Sequence, residues 1–510
     1  MRLRHQPREA AVLRVLRALH GVGRRARRAP PHGRARRVAL LVDLGTGRDH
    51  DPPRRSRNVL RALRRRRDLP GARRPPQPLH RGLAAGHRRD LHGVRAVPAA
   101  RHLGHADVAR DRVVSPIQSA LVERIDRLTR EKIAPRAAEY DLAGANPVES
   151  WRDLWREGIL AGAIPAAHGG LGLDTATYVA VIRTIARGCA NTAMTVHMHS
   201  TVMRFIATIG SVEQQRRYFD EVVRHGKLFG SWGSEPAVSL SRSILMETTV
   251  RREGADYVVD GVKHFCTMAL GASHYMVWCA LDGGTDMAKS LQLVLVNADA
   301  PGITTDGKWD TLGMRATFSP SVTFTGVRVP AEGLLGDPGA ATRVGVIEIF
   351  ALGYAAVYLG IAEAALAFAI DYAKKRIVRP ENVAVAMDPA VQRHVGELAA
   401  QLDAANLVLA DSAARWDGAD VVERGLLANR AKYLATEVGL HVTSKAIQIV
   451  GGRGSYKDFP AERAFRDLRT STLMPPTVDR MLEAIGKSVL GLDAAMFNVA
   501  GSKPRGEIRG

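Results

Sequence analysis

Cysteine is nearly missing: only Cys189, Cys266 and Cys279 occur among 510 residues. Three thiols in so long a chain exclude a disulfide framework and a cysteine-built zinc site, and no metal is expected. They fit a reducing compartment, so a cytoplasmic location is expected. Aromatics are scarce at 5%, and they are unevenly spread. Residues 1–112 hold no Ile, Phe, Tyr, Trp, Cys or Lys. Such a segment cannot bury enough apolar surface to offset the entropy of ordering, so disorder is expected there. It does hold 30 Arg, ten Pro and nine His, against 8 acidic residues. The net charge of +22 therefore resides wholly in this segment, and the remaining 398 residues balance 43 basic with 43 acidic side chains.

Taken whole, +22 suggests a nucleic-acid or membrane partner. Divided in this way it says nothing about the remainder, which is expected to bind no nucleic acid. An Arg-rich tail can bind phosphate backbones, or serve as a transit peptide. A transit peptide is also Ser-rich, whereas this segment has only Ser56. Arg, Pro, His, Gly and Ala without Lys or Ile are what a GC-rich stretch yields when read in the wrong frame. The favoured expectation is a mis-assigned extension, with the folded chain starting near Val113 or Val114.

Long hydrophobic runs are lacking too. The most apolar stretch, 349–362, is fourteen uncharged residues between Glu348 and Glu363. That is too short to span a bilayer, so a buried core helix is expected and no membrane span. Residues 113–510 contain no secretory signal, internal repeat, Walker loop or GxGxxG.

Three periods are present instead. Over 116–225, apolar residues such as Ile117, Leu121, Ile125 and Leu128 recur every three or four positions, as one helix face requires. Pro135, Pro147 and HGGLGLD at 168–174 divide that stretch, and 177–188 and 197–210 read as further helices. Over 228–336 the period shifts to two. ADYVVDGVKHF at 255–265, HYMVWCAL at 274–281, LQLVLVN at 291–297 and SVTFTGVRV at 321–329 read as strands of a roughly seven-stranded antiparallel domain. Helix returns after 342, with long Ala-rich runs at 351–373 and 393–416 that suit a bundle. The expectation is an α+β multidomain chain: a helical domain at 113–227, a β domain at 228–338, a helical bundle at 339–500 and a tail at 501–510.

Several local patterns, in order, resemble one family. They are GILAGAIPAAHGGLGLD at 158–174, GSWGSEP at 230–236, DGVKHFCTMALGASHYMVWCA at 260–280, LGMRATFSPSVTFTGVRVPAEGLLG at 312–336, AIDYAKKR at 369–376 and QIVGGRGSYKDFPAERAFRDLR at 448–469. Together they are similar to the acyl-CoA dehydrogenases, from about residue 116 to 500. The resemblance implies an FAD flavoprotein of fatty acid metabolism, a homotetramer or dimer. Its substrate would be an acyl thioester, and its electron acceptor an electron-transferring flavoprotein or oxygen. It places Thr267 as donor near flavin N5, Gly233 and Ser234 on the pyrimidine side, and Phe265 against the ring. It places Arg376 on the pyrophosphate, and Gln448, Gly451, Gly452 and Thr477 among the cofactor contacts, some reaching a neighbouring subunit's FAD.

One departure bears on the chemistry. Dehydrogenation needs a carboxylate to remove the α-proton while hydride passes to N5. In many members a Glu stands nine residues after the Arg of an Arg-Asp pair. Here that pair is Arg466-Asp467, and Pro475 takes the Glu position. Proline has neither carboxylate nor N–H. In relatives with a relocated base, the matching residue is Phe350; Glu348 lies two residues off, about 200° around a helix. Asp479 is another candidate base. Three readings follow: a dehydrogenase with a relocated base, Glu348 or Asp479; a flavin monooxygenase on the same fold; or a non-catalytic partner subunit sharing FAD sites. In the second, His197, His199 or His264 would serve as acid or base. The resemblance implies that the family's serine near the CoA phosphate is replaced around Leu240, close to Arg242.

Overall fold

A computed structural model describes residues 116–238, 246–281, 283, 284 and 286–492. The Arg-rich segment, the tail at 501–510, and Leu240 with Arg242 lie outside the described residues.

Six helices come first: α1 (Pro116–Leu128), α2 (Ala134–Ala143), α3 (Val148–Arg156), α4 (Thr175–Gly188), α5 (Ala190–Ile209) and α6 (Val212–His225). Local chemistry sets their ends. The Asp174 carboxylate accepts the Thr177 N–H at 2.8 Å and starts α4. Ser211 and Gln214 form a reciprocal capping box at α6. Gly226, at φ +63°, closes that helix in the left-handed region.

The sheet comprises β1 (Phe229–Trp232), β2 (Thr249–Glu253), β3 (Asp256–Lys263), β4 (His274–Leu281), β5 (Leu291–Asn297), β6 (Ile303–Thr305), β7 (Val322–Val329) and β8 (Leu334–Leu335). Its order is β6-β7-β3-β2-β4-β5-β8, with β1 also paired to β4. Most pairings are antiparallel, but β1 and β2 run parallel to β4. The cause is the excursion at 264–273. It carries the chain from β3 across β2, so that β4 starts from the end where β2 starts. β4 and β5 are buried on both faces and read as continuous apolar runs.

The third part holds α7 (Ile349–Lys375), a ribbon of β9 (Ile377–Val378) and β10 (Val383–Ala384), then α8 (Pro389–Arg415), α9 (Val421–Val450), α10 (Pro460–Arg469) and α11 (Val478–Val489). Two single helical turns, Met287–Ser290 and Ala340–Arg343, carry no label. α7 packs against α4, α5, α8, α9 and α10. By length and composition it could cross a membrane, yet 78% of its apolar window is buried within the protein. Small residues allow this. A Cβ at Gly353 would enter the His197 ring, and one at Gly360 would meet Arg183 O and Ala186.

Candidate active site

Where the sheet meets α5 and α7, a cavity of about 590 Å³ opens. Helical spacing builds its floor. Met194 and Met198 come from one face of α5, and Phe350 and Tyr354 from one face of α7, each pair four residues apart. β4 adds Trp278. These five side chains are 9% exposed or less. Phe265, Leu312 and Leu473 form the rim and are 57–69% exposed.

The 264–273 excursion presents Phe265 and Thr267 in an unusual backbone. Phe265, Met268 and Leu270 have φ of 56°, 65° and 59°, the left-handed region that side chains disfavour. Backbone strain of this kind persists where surroundings over-determine it, and it gathers at functional sites. Here Cys266 N–H donates to Pro320 O at 3.1 Å and Met268 N–H to Thr317 O at 2.9 Å. Trp232 Nε1 donates to Thr267 O at 2.9 Å. Ser319 Oγ donates to Thr267 Oγ1 at 3.1 Å, which leaves the threonine hydroxyl proton free for a group in the cavity.

The lining is poor in charge. Among the described residues it contains one carboxylate, Glu235, and one cation, Arg469. Glu235 is already satisfied. It accepts Lys263 Nζ at 2.6 Å and the N–H groups of Glu247 and Thr248 at 2.6 and 2.9 Å. Burial alone would raise its pKa, but Lys263 and the backbone donors hold it below the ordinary value. Asp467 lies behind the wall, accepting Met314 N–H at 2.6 Å, and burial lifts it to about 6. It positions Gly313 and Met314, which do line the cavity.

The residues singled out in the sequence fall into three groups. Gly233, Ser234, Phe265, Thr267 and Pro475 are together in the cavity lining. Arg376 lies elsewhere, in a second cavity of about 270 Å³ with Phe368, Tyr372 and Phe459. Phe459 belongs to the segment after Gln448, Gly451 and Gly452, whose exposed backbone closes α9. Some 26 helical residues separate Phe350 from Arg376, about 39 Å at 1.5 Å per residue. One chain therefore cannot bring both groups to a single flavin ring. The third group lies outside the lining. Asp479 is exposed on α11, and Thr477 stands just before it. Glu348 is buried at the start of α7 with no partner for Oε2, and burial raises its pKa.

The three histidines also lie outside the lining. His197 Nδ1 meets Tyr178 Oη at 2.5 Å and Nε2 meets Phe350 O at 3.1 Å. His199 Nδ1 accepts Phe229 N–H at 3.1 Å, and its Nε2 donates to Leu160 O at 2.9 Å. Burial pulls their pKa values to about 3 and about 4, so both rings are neutral struts near pH 7. His264 Nδ1 is 2.6 Å from Ser321 Oγ.

Sequence reasoning placed the pocket lining on the helices around 197–210 and 349–358, which bring Met198, Phe350 and Tyr354, and it missed Met194, Trp278 and Lys432. The signal for Lys432 was present. It falls on the buried face of α9 with Ala428, Ala431 and Ala435, where a lysine is out of place.

An exposed aromatic at a cavity rim, a hydroxyl donor fixed by strained backbone, and apolar walls fit a flavin ring. Family comparison agrees. Three models match in succession: "Acyl-CoA dehydrogenase, N-terminal domain" at 115–225, the "middle domain" at 231–327 and the "C-terminal domain" at 352–473. Cyclohex-1-ene-1-carbonyl-CoA dehydrogenase of Syntrophus aciditrophicus is 28% identical, over 73% of this chain and 90% of that protein. Dibenzothiophene monooxygenase of Mycolicibacterium goodii is 30% identical, over 72% and 93%. Butyryl-CoA dehydrogenase from Megasphaera elsdenii superposes with a TM-score of 0.69 at 25% identity, over 74% of this chain and 99% of that one. FMN-bound TdsC from Paenibacillus sp. A11-2 gives 0.67 at 28% identity, over 74% and 98%. The chain belongs to the acyl-CoA dehydrogenase family, whose members are flavoprotein oxidoreductases. Within that family its relatives include both dehydrogenases and monooxygenases.

Proposed function

We propose that this chain is a flavin-dependent monooxygenase of a planar, apolar substrate. One observation carries the reading: no unpaired carboxylate lines the cavity among the described residues, and Pro475 stands in its wall. The neighbouring 239–245 stretch, SLSRSIL, contains no acid either. Abstraction of an α-proton therefore has no free carboxylate among the described lining residues, whereas oxygen insertion at that place requires none. The likeness to a dibenzothiophene monooxygenase supports the same reading.

When bound, reduced flavin supplies the electron pair that lets one atom of dioxygen enter the substrate while the other leaves as water. The chain's residues do the rest. The Thr267 hydroxyl would donate to the ring edge, Phe265 would cover its face, and Gly233 with Ser234 would border it. Met194, Met198, Trp278, Phe350 and Tyr354 exclude water and clasp an apolar plane. The flavin is FAD if the Arg376 surface of a second copy holds its pyrophosphate, which would make the protein a homo-oligomer.

Glu348 favours a second reading, α,β-dehydrogenation of an acyl thioester. Its partnerless, buried carboxylate lies two residues from Phe350. Anaerobic mixing with acyl-CoAs of varied length and branching separates the two. Unchanged flavin absorbance is the expected result, together with one ¹⁸O in oxidised dibenzothiophene when the reduced flavoprotein is separately mixed with ¹⁸O₂ and dibenzothiophene. Bleaching by a thioester would overturn the monooxygenase in favour of the dehydrogenase. Neither bleaching nor oxygen incorporation would leave the non-catalytic subunit.

A further inference from the structure

α9 sends the Lys432 side chain into the interior, where it is fully buried. Its ammonium donates to Met474 O and Pro476 O, each at 2.6 Å. The Tyr354 ring centroid lies 5.7 Å away. Among the described residues no carboxylate forms an ion pair with it, and burial alone draws its pKa down to about 7.

The segment that Lys432 grips has little means of holding itself. Pro475 and Pro476 donate no N–H. Inside the segment, only Leu473 and Met474 N–H reach back to Thr470 O, at 2.9 and 3.3 Å. Tyr358 Oη adds a contact to Met474 Sδ at 3.0 Å. On its other side the same segment gives Leu473, Met474 and Pro475 to the cavity wall. The two carbonyls flanking Pro475 would otherwise be buried acceptors without donors, each a destabilising group.

We propose that Lys432 is a positioning residue for the cavity: by clamping the Met474 and Pro476 carbonyls from behind, it sets where Pro475 and its neighbours stand in the wall. The assignment goes beyond the choice between monooxygenase and dehydrogenase and does not depend on it. The bond is charge-assisted and therefore stronger than a neutral one. It also explains a lysine among alanines on α9. Removing the donors frees the wall without replacing any residue that lines the cavity.

Hydrogen exchange on the full chain tests this without reading turnover. In Lys432→Met, the amides of Thr470 to Met474 and of Thr477 should exchange about tenfold faster or more, while α8 and the sheet keep wild-type protection. Lys432→Gln keeps two donors and should restore part of that protection. Wild-type exchange in this segment for both variants overturns the proposal. Should neither variant fold, the wild type supplies the measurement. The groups facing Lys432 from α7 are Tyr354 and Tyr358, which burial holds neutral, and the 473–477 segment has no titratable side chain. Between pH 6 and 8.5, exchange at 470–474, corrected for intrinsic rate, should then rise severalfold as the ammonium loses its charge. A flat profile overturns the proposal.

Discussion

Glu235 and Lys263 form an ion pair with side chains 1% and 0% exposed. In so dry a place the pair adds little stability by itself, but removing one partner leaves a charge without compensation. Lys263→Met should therefore destabilise the protein by about 3–5 kcal/mol, seen as a lower urea midpoint. Glu235→Leu combined with Lys263→Met should recover much of that loss. The pH dependence has a definite sign. The folded-state pKa of Glu235 is below 4.5, so its contribution is present above pH 4.5 and is lost as pH falls through the folded value. In Lys263→Met the carboxylate has lost its cation, and the acid limb of stability should move to higher pH. An acid limb identical to wild type would mean that the backbone donors alone stabilise Glu235. This residue was half legible: the Ser-Glu-Pro segment singled out Ser234, but pairing with a lysine 28 residues on is a property of the sheet.

At the scale of elements, α5 and α7 make the cavity floor because they approach closely, and the approach depends on Gly353. His197 lies against that glycine and bonds to Phe350 O, one turn earlier on α7. Gly353→Ala should push the ring away, costing about 1–3 kcal/mol through overpacking. It should also move Phe350 and Tyr354, so the emission of Trp278 changes with it. Gly396 on α8 has open space around it, and Gly396→Ala there should stabilise by about 0.5–1 kcal/mol. Equal effects at the two positions in thermal melts would refute the close-packing account. Much of this level was legible. The recurrence of Ile125 and Leu128 marks α1, and the continuous apolar run at 274–281 marks β4, because burial on one face or two is written directly in residue type. The floor was legible in part. Family likeness put Phe350 at a site position, while Met194, Met198 and Tyr354 become a wall only through the packing of two distant helices. The position of Pro475 was legible through family likeness, while the lysine clamping its flanking carbonyls comes from a helix some 40 residues earlier.

For the molecule as a whole, the uneven composition is the most consequential feature. The described helices and strands lie between Pro116 and Val489, and the family match begins at 115. The +22 resides before residue 113, and the remainder is neutral. The net charge and the family match are therefore carried by different parts of the sequence. Affinity for a polyanion depends on the number of cations that replace its condensed counterions, and it falls steeply with salt. A chain of residues 113–510 should keep the thermal transition of the full chain within about 2 °C, because residues 1–112 contain no Ile, Phe, Tyr or Trp with which to bury apolar surface. It should keep the same flavin content. It should lose binding to heparin and to duplex DNA at 50 mM salt, which the full chain should show and should release between 50 and 200 mM. Melting curves, flavin absorbance per chain and salt-gradient elution measure the three quantities. A truncated chain that melts much earlier, or that loses its flavin, would show that the Arg-rich segment supports the fold. A truncated chain that still elutes late from heparin would show that the neutral part has a basic face of its own.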